Sequence, residues 1–274
     1  MTTNQTGETR QDGAAAPTQY CKVLREGPLT IVTINRPDCL NALHTDAHFE
    51  LARVFDEFAA DPEQWIAIIT GEGRAFSAGN DLKFQAKGGG LDRPDSDFGG
   101  LTGRFDCEKP IIAAVNGLAL GGGCEIALSC DIVIASDDAI FALPEPRVGM
   151  AALASGLHRL PRTIGWQQAM GMILTGRRVS AHEAREMGFV NSVVSPEELI
   201  AEARRWAEMI LQGSPLAIRA AKSIARKGLE KASLEQAFLS QRDNEALDVM
   251  LGSEEYREGP KAFAEKRQPI WKGR

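Results

Sequence analysis

The stretch from Ile111 to Arg147 constrains the fold of this chain more than any other. It opens with an unbroken apolar run, Ile111-Ile112-Ala113-Ala114-Val115, the pattern of a buried strand. Asn116-Gly117 breaks the run. Gly121, Gly122 and Gly123 then lead into Cys124-Glu125-Ile126-Ala127-Leu128, which reads as the start of a helix. A glycine-rich turn feeding a helix leaves several backbone N–H groups without an intrahelical partner. Those donors, at the positive end of the helix dipole, can hold an anion or a developing oxyanion. Glu125 falls within one turn of them, in a segment otherwise almost wholly apolar. A second strand-like run, Ile132-Val133-Ile134-Ala135, follows Asp131, and Glu145 stands between Pro144 and Pro146.

Taken alone, the glycines need only permit a tight turn, with Glu125 capping a helix start. Glu145 shifts the balance, because two carboxylates in apolar surroundings are costly without a purpose. A membrane span over 111–135 reads poorly. Asn116, three successive glycines, Glu125 and Asp131 interrupt it.

The 274 residues suffice for one large α/β domain or two small ones. A net charge of −6 without a long basic run argues against nucleic acid or an anionic membrane as the main partner. The five cysteines, Cys21, Cys39, Cys107, Cys124 and Cys130, form no C-x-x-C pair and are odd in number. They read as buried free thiols in a reducing compartment. Residues 1–19 are polar, carry both acids and arginine, and lack the apolar core of a signal peptide. They are expected to be a disordered lead, and the protein cytoplasmic.

Leu29 to Ile34 alternates apolar and β-branched residues and is expected to be a strand. Residues 46–60 place Phe49, Ala52, Val54 and Phe55 at helical spacing, with Asp61-Pro62 as the stop. Trp65 to Thr70 is the next buried strand. Strand, helix, strand in this order suggests a parallel pairing. Residues 85–103 are glycine-rich and loop-like, either a flap over a binding site or a plain surface excursion. The stretch 157–174 reads as helix divided by Pro161 and Gly165. Ser180-x-x-Glu183 is a capping box, with Gly188 as the stop of its helix. Phe189 to Val194 reads as a last strand. From Pro196 everything reads as helix, over 197–212, 215–229, 233–250 and near 260–267.

Four segments carry a family resemblance. The run KPIIAAVNGLALGGGCEIALSCD from Lys109 resembles the signature of the crotonase (enoyl-CoA hydratase/isomerase) superfamily. GEGRAFSAGNDL, from Gly71 to Leu82, resembles its first oxyanion segment. NRPDCLNAL at Asn35–Leu43 and AFAEKR at Ala262–Arg267 match two further landmarks. The resemblance covers roughly residues 20–272, and four matches in the family's order are far more specific than any one.

The resemblance implies an α/β core over 20–195, a superhelical stack of strand-strand-helix units. It implies a C-terminal helical region over 196–274 that builds a trimer, or a dimer of trimers. The implied substrate is an acyl-CoA thioester. CoA enters as part of that substrate, so no separate cofactor and no metal are expected. The oxyanion donors would be the amides of Asn80 and Gly122, and the catalytic carboxylates Glu125 and Glu145. Leu40 and Ala42, with Ala78, Asp81 and Leu82, would hold adenine and pantetheine. Phe263 and Lys266 would reach a neighbouring subunit's nucleotide. Without the resemblance these last two read as an apolar anchor and a solvated surface residue.

Keeping both glutamates implies hydration of a 2-enoyl-CoA to a 3-hydroxyacyl-CoA. The alternatives are a double-bond isomerase, or a homologue that binds acyl-CoA without turnover. The chain departs from the family after Glu145, where a glycine-rich turn is usual and Leu153 stands in its place. A larger residue there would narrow the acyl pocket or shift the water. His158, beside Arg159, reads as a helix-surface residue. Marks of other enzyme classes are missing: there is no G-x-S-x-G, H-E-x-x-H or C-x-x-C, and Gly171-x-x-x-x-Gly176-Arg177 lacks the P-loop lysine.

Overall fold

The computed structural model describes residues 17–90 and 92–274. Most of the lead expected over 1–19 therefore lies outside the described residues. Strands β1 (Cys21–Glu26) and β2 (Leu29–Ile34) precede helix α1 (Thr45–Ala60). There follow β3 (Ile66–Gly71), β4 (Ala75–Ser77), α2 (Leu82–Ala86), β5 (Ile111–Val115), β6 (Leu118–Leu120) and α3 (Gly122–Ser129). Next come β7 (Ile132–Ser136), β8 (Ile140–Ala142), α4 (Gly156–Ile164), α5 (Trp166–Thr175), β9 (Val179–Ser180), α6 (Ala181–Met187) and β10 (Ser192–Val194). Five helices close the chain: α7 (Leu199–Leu211), α8 (Pro215–Gly228), α9 (Leu234–Ser240), α10 (Glu245–Gly252) and α11 (Glu255–Ala264).

Six strands form one sheet in the order β1-β2-β3-β5-β7-β10, and four form a second in the order β4-β6-β8-β9. The first is parallel except for the β1–β2 hairpin. The expected parallel pairing of β2 with β3 is present, with Ile31 opposite Ile68. Successive strand pairs β3/β4, β5/β6 and β7/β8 each send one strand to the large sheet and one to the small sheet. A helix follows each pair, giving the stack of strand-strand-helix units that the resemblance implies.

Strands β2, β3, β5 and β7 of the large sheet are buried on both faces, which is why they read as continuous apolar runs. One face packs with α1, α3 and the small sheet around Phe55, Phe76, Phe98, Ile126 and Phe141. The other packs Ile31, Ile68, Ile112 and Ile134 against Leu199, Ala203 and Ala207 of α7. After β10 the described residues form helices only, and the first long one, α7, packs directly on the sheet.

Several local expectations are corrected. Phe49 is not on the buried face of α1 but 47% exposed, because the inward stripe runs through Leu51, Phe55 and Phe58. Of the strand expected over Phe189–Val194 only Ser192–Val194 pairs; Phe189 and Val190 are buried without joining the sheet. The helix expected over 233–250 is broken at Asn244, whose side chain caps α10 by accepting from the Ala246 amide. The last helix starts at Glu255, ahead of Pro260. Ser180 caps α6 by accepting from the Glu183 amide, while the Glu183 carboxylate pairs with Arg177 at 2.7 Å. In the loop-like stretch 85–103, Phe98, Gly99 and Gly100 are buried, and the Gly99 amide donates to His48 Nδ1 at 3.0 Å.

Candidate active site

The site grows from two loops that meet beside the N-terminus of α3. After β4 the chain turns at Gly79 (φ +87), and residues 79–81 pair with Leu43 in a parallel bridge. The Leu43 amide donates to the Gly79 carbonyl at 2.8 Å, and the Asp81 amide to the Leu43 carbonyl at 2.9 Å. Pairing on either side of Asn80 turns its own amide outward, with no hydrogen-bond partner among the described residues. Gly122 begins α3, so its N–H is one of the unpaired donors of a helix start, and it too has no partner among the described residues. The two loops touch: a Cβ on Gly79 would lie 3.0 Å from the Gly122 nitrogen.

Close contact explains the glycine triplet. A Cβ at Gly121 would fall 2.8 Å from Glu145 Oε1, at Gly122 2.4 Å from the Phe98 ring, and at Gly123 2.1 Å from the Ser77 carbonyl. None of these positions has room for a side chain.

Glu125 sits in the first turn of α3 and is only 2% exposed. Its Oε1 accepts from the Gly156 amide at 2.8 Å. Burial raises its pKa from 4.5 to about 7 against the pull of that amide, and the like charge of Glu145 adds to the rise. Glu145 opens the short turn Glu145–Val148 after Pro144. Its Oε2 is buried without a hydrogen-bond partner among the described residues, and burial raises its pKa as well. One cleft of about 880 Å³ is lined by both glutamates together with Asn80, Gly122, Ala78 and Leu82. Two carboxyls of raised pKa thus share it with two main-chain donors that have no partner among the described residues.

Other expected site residues lie elsewhere. Leu40 and Ala42 do not line the cleft; they stand behind it and stitch its wall. The Ala78 amide donates to the Leu40 carbonyl at 2.9 Å, and Arg36 donates to the Ala42 carbonyl. Leu40 and Asn41 are held in left-handed backbone (φ 56 each) by Asn41, whose Nδ2 donates to the carbonyls of Glu72 and Ala75. The carboxylate of Asp81 is already engaged, capping α2 through the Phe84 amide at 3.0 Å and pairing with Arg36 at 3.1 Å. Burial acts to raise the Asp81 pKa, but those two partners outweigh it and leave the carboxyl below its usual range. Phe263 (87% exposed) and Lys266 are on or just after α11 and do not line the cleft. Leu153 does line it, 76% exposed at the rim, and His158 is on the surface as expected.

Arg93, Phe98, Met150 and Gly156 escape sequence reasoning as site residues. Phe98 and Arg93 lie in the loop-like stretch, where no periodicity marks an inward side chain. Gly156 falls just before the helix expected over 157–174 and carries no mark of its own, yet a Cβ there would come 2.9 Å from both Cγ and Oε1 of Glu125.

Residues 25–274 match the family described as Enoyl-CoA hydratase/isomerase. Among curated proteins, a carnitinyl-CoA dehydratase of Citrobacter koseri is 45% identical over 91% of this chain and 97% of its own length. One of Salmonella arizonae is 44% identical over 92% and 98%. Among solved structures, an enoyl-CoA hydratase of Mycobacterium tuberculosis H37Rv is 37% identical, covers 93% of this chain and 99% of its own, and superposes with a TM-score of 0.87. A probable enoyl-CoA hydratase/isomerase of Mycobacterium abscessus gives 39%, 94%, 100% and the same TM-score. With the four landmark segments falling on the two loops, the helix start and the C-terminal helix, the chain belongs to the crotonase (enoyl-CoA hydratase/isomerase) superfamily.

Proposed function

We propose that this enzyme adds water reversibly across the 2,3-double bond of a 2-enoyl-CoA thioester. The observation that carries the reading is the pairing of Glu125 and Glu145, both raised in pKa by burial, in the cleft that holds the free amides of Asn80 and Gly122. Those amides would donate to the thioester oxygen as charge moves onto it, with the α3 dipole behind Gly122. One carboxylate takes a proton from water as its oxygen bonds to Cβ. The π electrons pass through Cα, which receives a proton from the other carboxyl. Run backwards, the same steps remove water from a 3-hydroxyacyl thioester, the direction in the names of the curated relatives.

On this reading the wall built by Leu40, Ala42, Ala78, Asp81 and Leu82 holds adenine and pantetheine. Phe263 and Lys266 serve a neighbouring subunit in a trimer or a dimer of trimers. The exposed apolar side chains of the C-terminal helices, among them Leu229, Leu234 and Phe238, support such an assembly.

The test is hydration of a short 2-enoyl-CoA, followed by loss of conjugated ultraviolet absorbance. Glu125→Gln and Glu145→Gln should each lose about 10²–10⁴-fold in rate. The double variant should be little worse than the worse single one, because groups in one transition state are not additive. A nearly silent Glu→Gln change at either position would move the double-bond isomerase to first place. Thioester binding without turnover by the wild type would leave the acyl-CoA-binding homologue.

A further inference from the structure

Phe98 and Arg93 both line the cleft. Phe98 is buried with its ring tip against Gly122, and the Arg93 guanidinium lies over that ring, 5.0 Å from its centroid. A cation therefore stands one aromatic ring away from a proposed oxyanion donor. It is near enough to Glu125 to counter part of the rise in its pKa. Behind Arg93 lies a second cavity of about 630 Å³, lined by Asp95, Phe105 and Asp106 among others, so this side chain is the partition between the two.

Arg93 has donors to spare. Its Nη1 donates to Asp97 Oδ1 at 3.0 Å, while Nε and Nη2 have no partner among the described residues. Nε and Nη2 form one edge of the guanidinium fork, the edge that grips a carboxylate through two parallel hydrogen bonds. The aromatic surface tells against the opposite charge. Phe98 is the one aromatic ring among the described residues that line the cleft. A quaternary ammonium is recognised by open aromatic faces, and the Arg93 guanidinium already covers this one.

We propose that Arg93 sets acyl specificity: the cleft takes the mono-CoA thioester of an unsaturated dicarboxylic acid, whose distal carboxylate meets Nε and Nη2, and it rejects a quaternary-ammonium acyl chain such as the carnitinyl group. The proposal rests on the hydratase reading for where the thioester lies. Asp97 offsets much of the charge of Arg93 at a distance, and both side chains are about one-third exposed (31% and 33%). The preference is therefore a matter of short-range hydrogen bonds and is moderate.

Three saturated thioesters that cannot be hydrated serve as probes: butyryl-CoA, glutaryl-CoA and γ-butyrobetainyl-CoA. Isothermal calorimetry on the wild type should show glutaryl-CoA binding about 5- to 10-fold tighter than butyryl-CoA, with γ-butyrobetainyl-CoA the weakest. Arg93→Met should erase the glutaryl preference. Arg93→Lys, which keeps the charge without the fork, should reduce it to about twofold. The proposal is overturned if the wild type binds γ-butyrobetainyl-CoA as tightly as butyryl-CoA, or if the glutaryl preference survives unchanged in either variant. The wild-type comparison decides even if a variant fails to fold. Because the probes bind without reacting, this outcome is separate from the hydration assay. A flat binding series with active hydration sinks only the role of Arg93, and a preserved preference with no hydration sinks only the hydratase reading.

Discussion

Glu125→Gln should remove activity and at the same time shift stability in favour of the variant as pH rises. The carboxyl is enclosed, and its pKa rises from 4.5 to about 7, mainly through burial. A folded-state pKa above the unfolded one means that the native state holds the proton more tightly. The stability contributed by this group is then fully present below pH 4.5 and is lost as pH rises through about 7. Glutamine keeps the size and can still accept from the Gly156 amide, but it does not ionise. From 4.5 to about 7, at about 1.4 kcal/mol per pH unit, the advantage of glutamine approaches about 3 kcal/mol above pH 8 and is about 1 kcal/mol at pH 5.5. The new side-chain NH₂ group, if unpaired, costs about 1–3 kcal/mol at every pH, so the slope is the reading and not the absolute value. For a chain of this size about 2 °C of melting temperature corresponds to each kcal/mol. The melting temperature of the variant minus that of the wild type should therefore rise by about 4 °C from pH 5.5 to pH 8.5. A difference that stays constant, or falls toward high pH, would refute the claim that Glu125 is held as a buried acid.

Two further outcomes follow from the contacts around the site. Gly156→Ala should lower kcat by about 10²-fold with KM little changed, and cost about 1–3 kcal/mol of stability, because its Cβ would meet Glu125 at both Cγ and Oε1 and push the carboxyl from its place; a kcat near wild type would mean that Glu125 is not held in a fixed position. Lys266→Ala should raise the KM for acyl-CoA at low ionic strength and leave kcat nearly unchanged. Light scattering should find three or six chains in the particle; a monomer, or an unaltered KM, would make Lys266 a plain surface residue.

The parts of the fold legible in the sequence are those where burial imposes a pattern. β2, β3, β5 and β7 are covered on both faces and so appear as apolar runs. β1 is an exposed edge strand, and its mixture of Lys22, Val23, Leu24, Arg25 and Glu26 shows no alternation to read. The strands of the small sheet are two or three residues long, too short to display any period. Phe49 misled because apolar character was counted without direction; two residues before Leu51 on a helix is about 200° round the axis. The break in the helix expected over 233–250 had a local signal, since Asn244 is a good cap ahead of Glu245, but it was outweighed by the apolar spacing on either side. At the site, the amides and glutamates were legible through the resemblance. Arg93 and Phe98 were not, since their position depends on a loop folding back onto α1 and α3.

This division has a physical origin that bears on what the relatives can teach. The proposed oxyanion donors are main-chain groups, and the glycines around them have no room for a side chain: a Cβ at Gly121, Gly122 or Gly123 would fall 2.1–2.8 Å from Glu145, Phe98 or Ser77. Almost any substitution there moves a backbone that has no slack, so that half of the site is built to stay as it is. The proposed acyl end is different. Arg93, Met150 and the largely exposed Leu153 line it, and a change at these partly or largely exposed side chains requires little backbone movement. On the proposed hydratase reading, likeness to the carnitinyl-CoA dehydratases therefore bears on the double-bond chemistry more than on the acyl group. The acyl group has to be read from the side chains that line this chain's own cleft, and there Arg93 occupies the aromatic face that a quaternary ammonium would use.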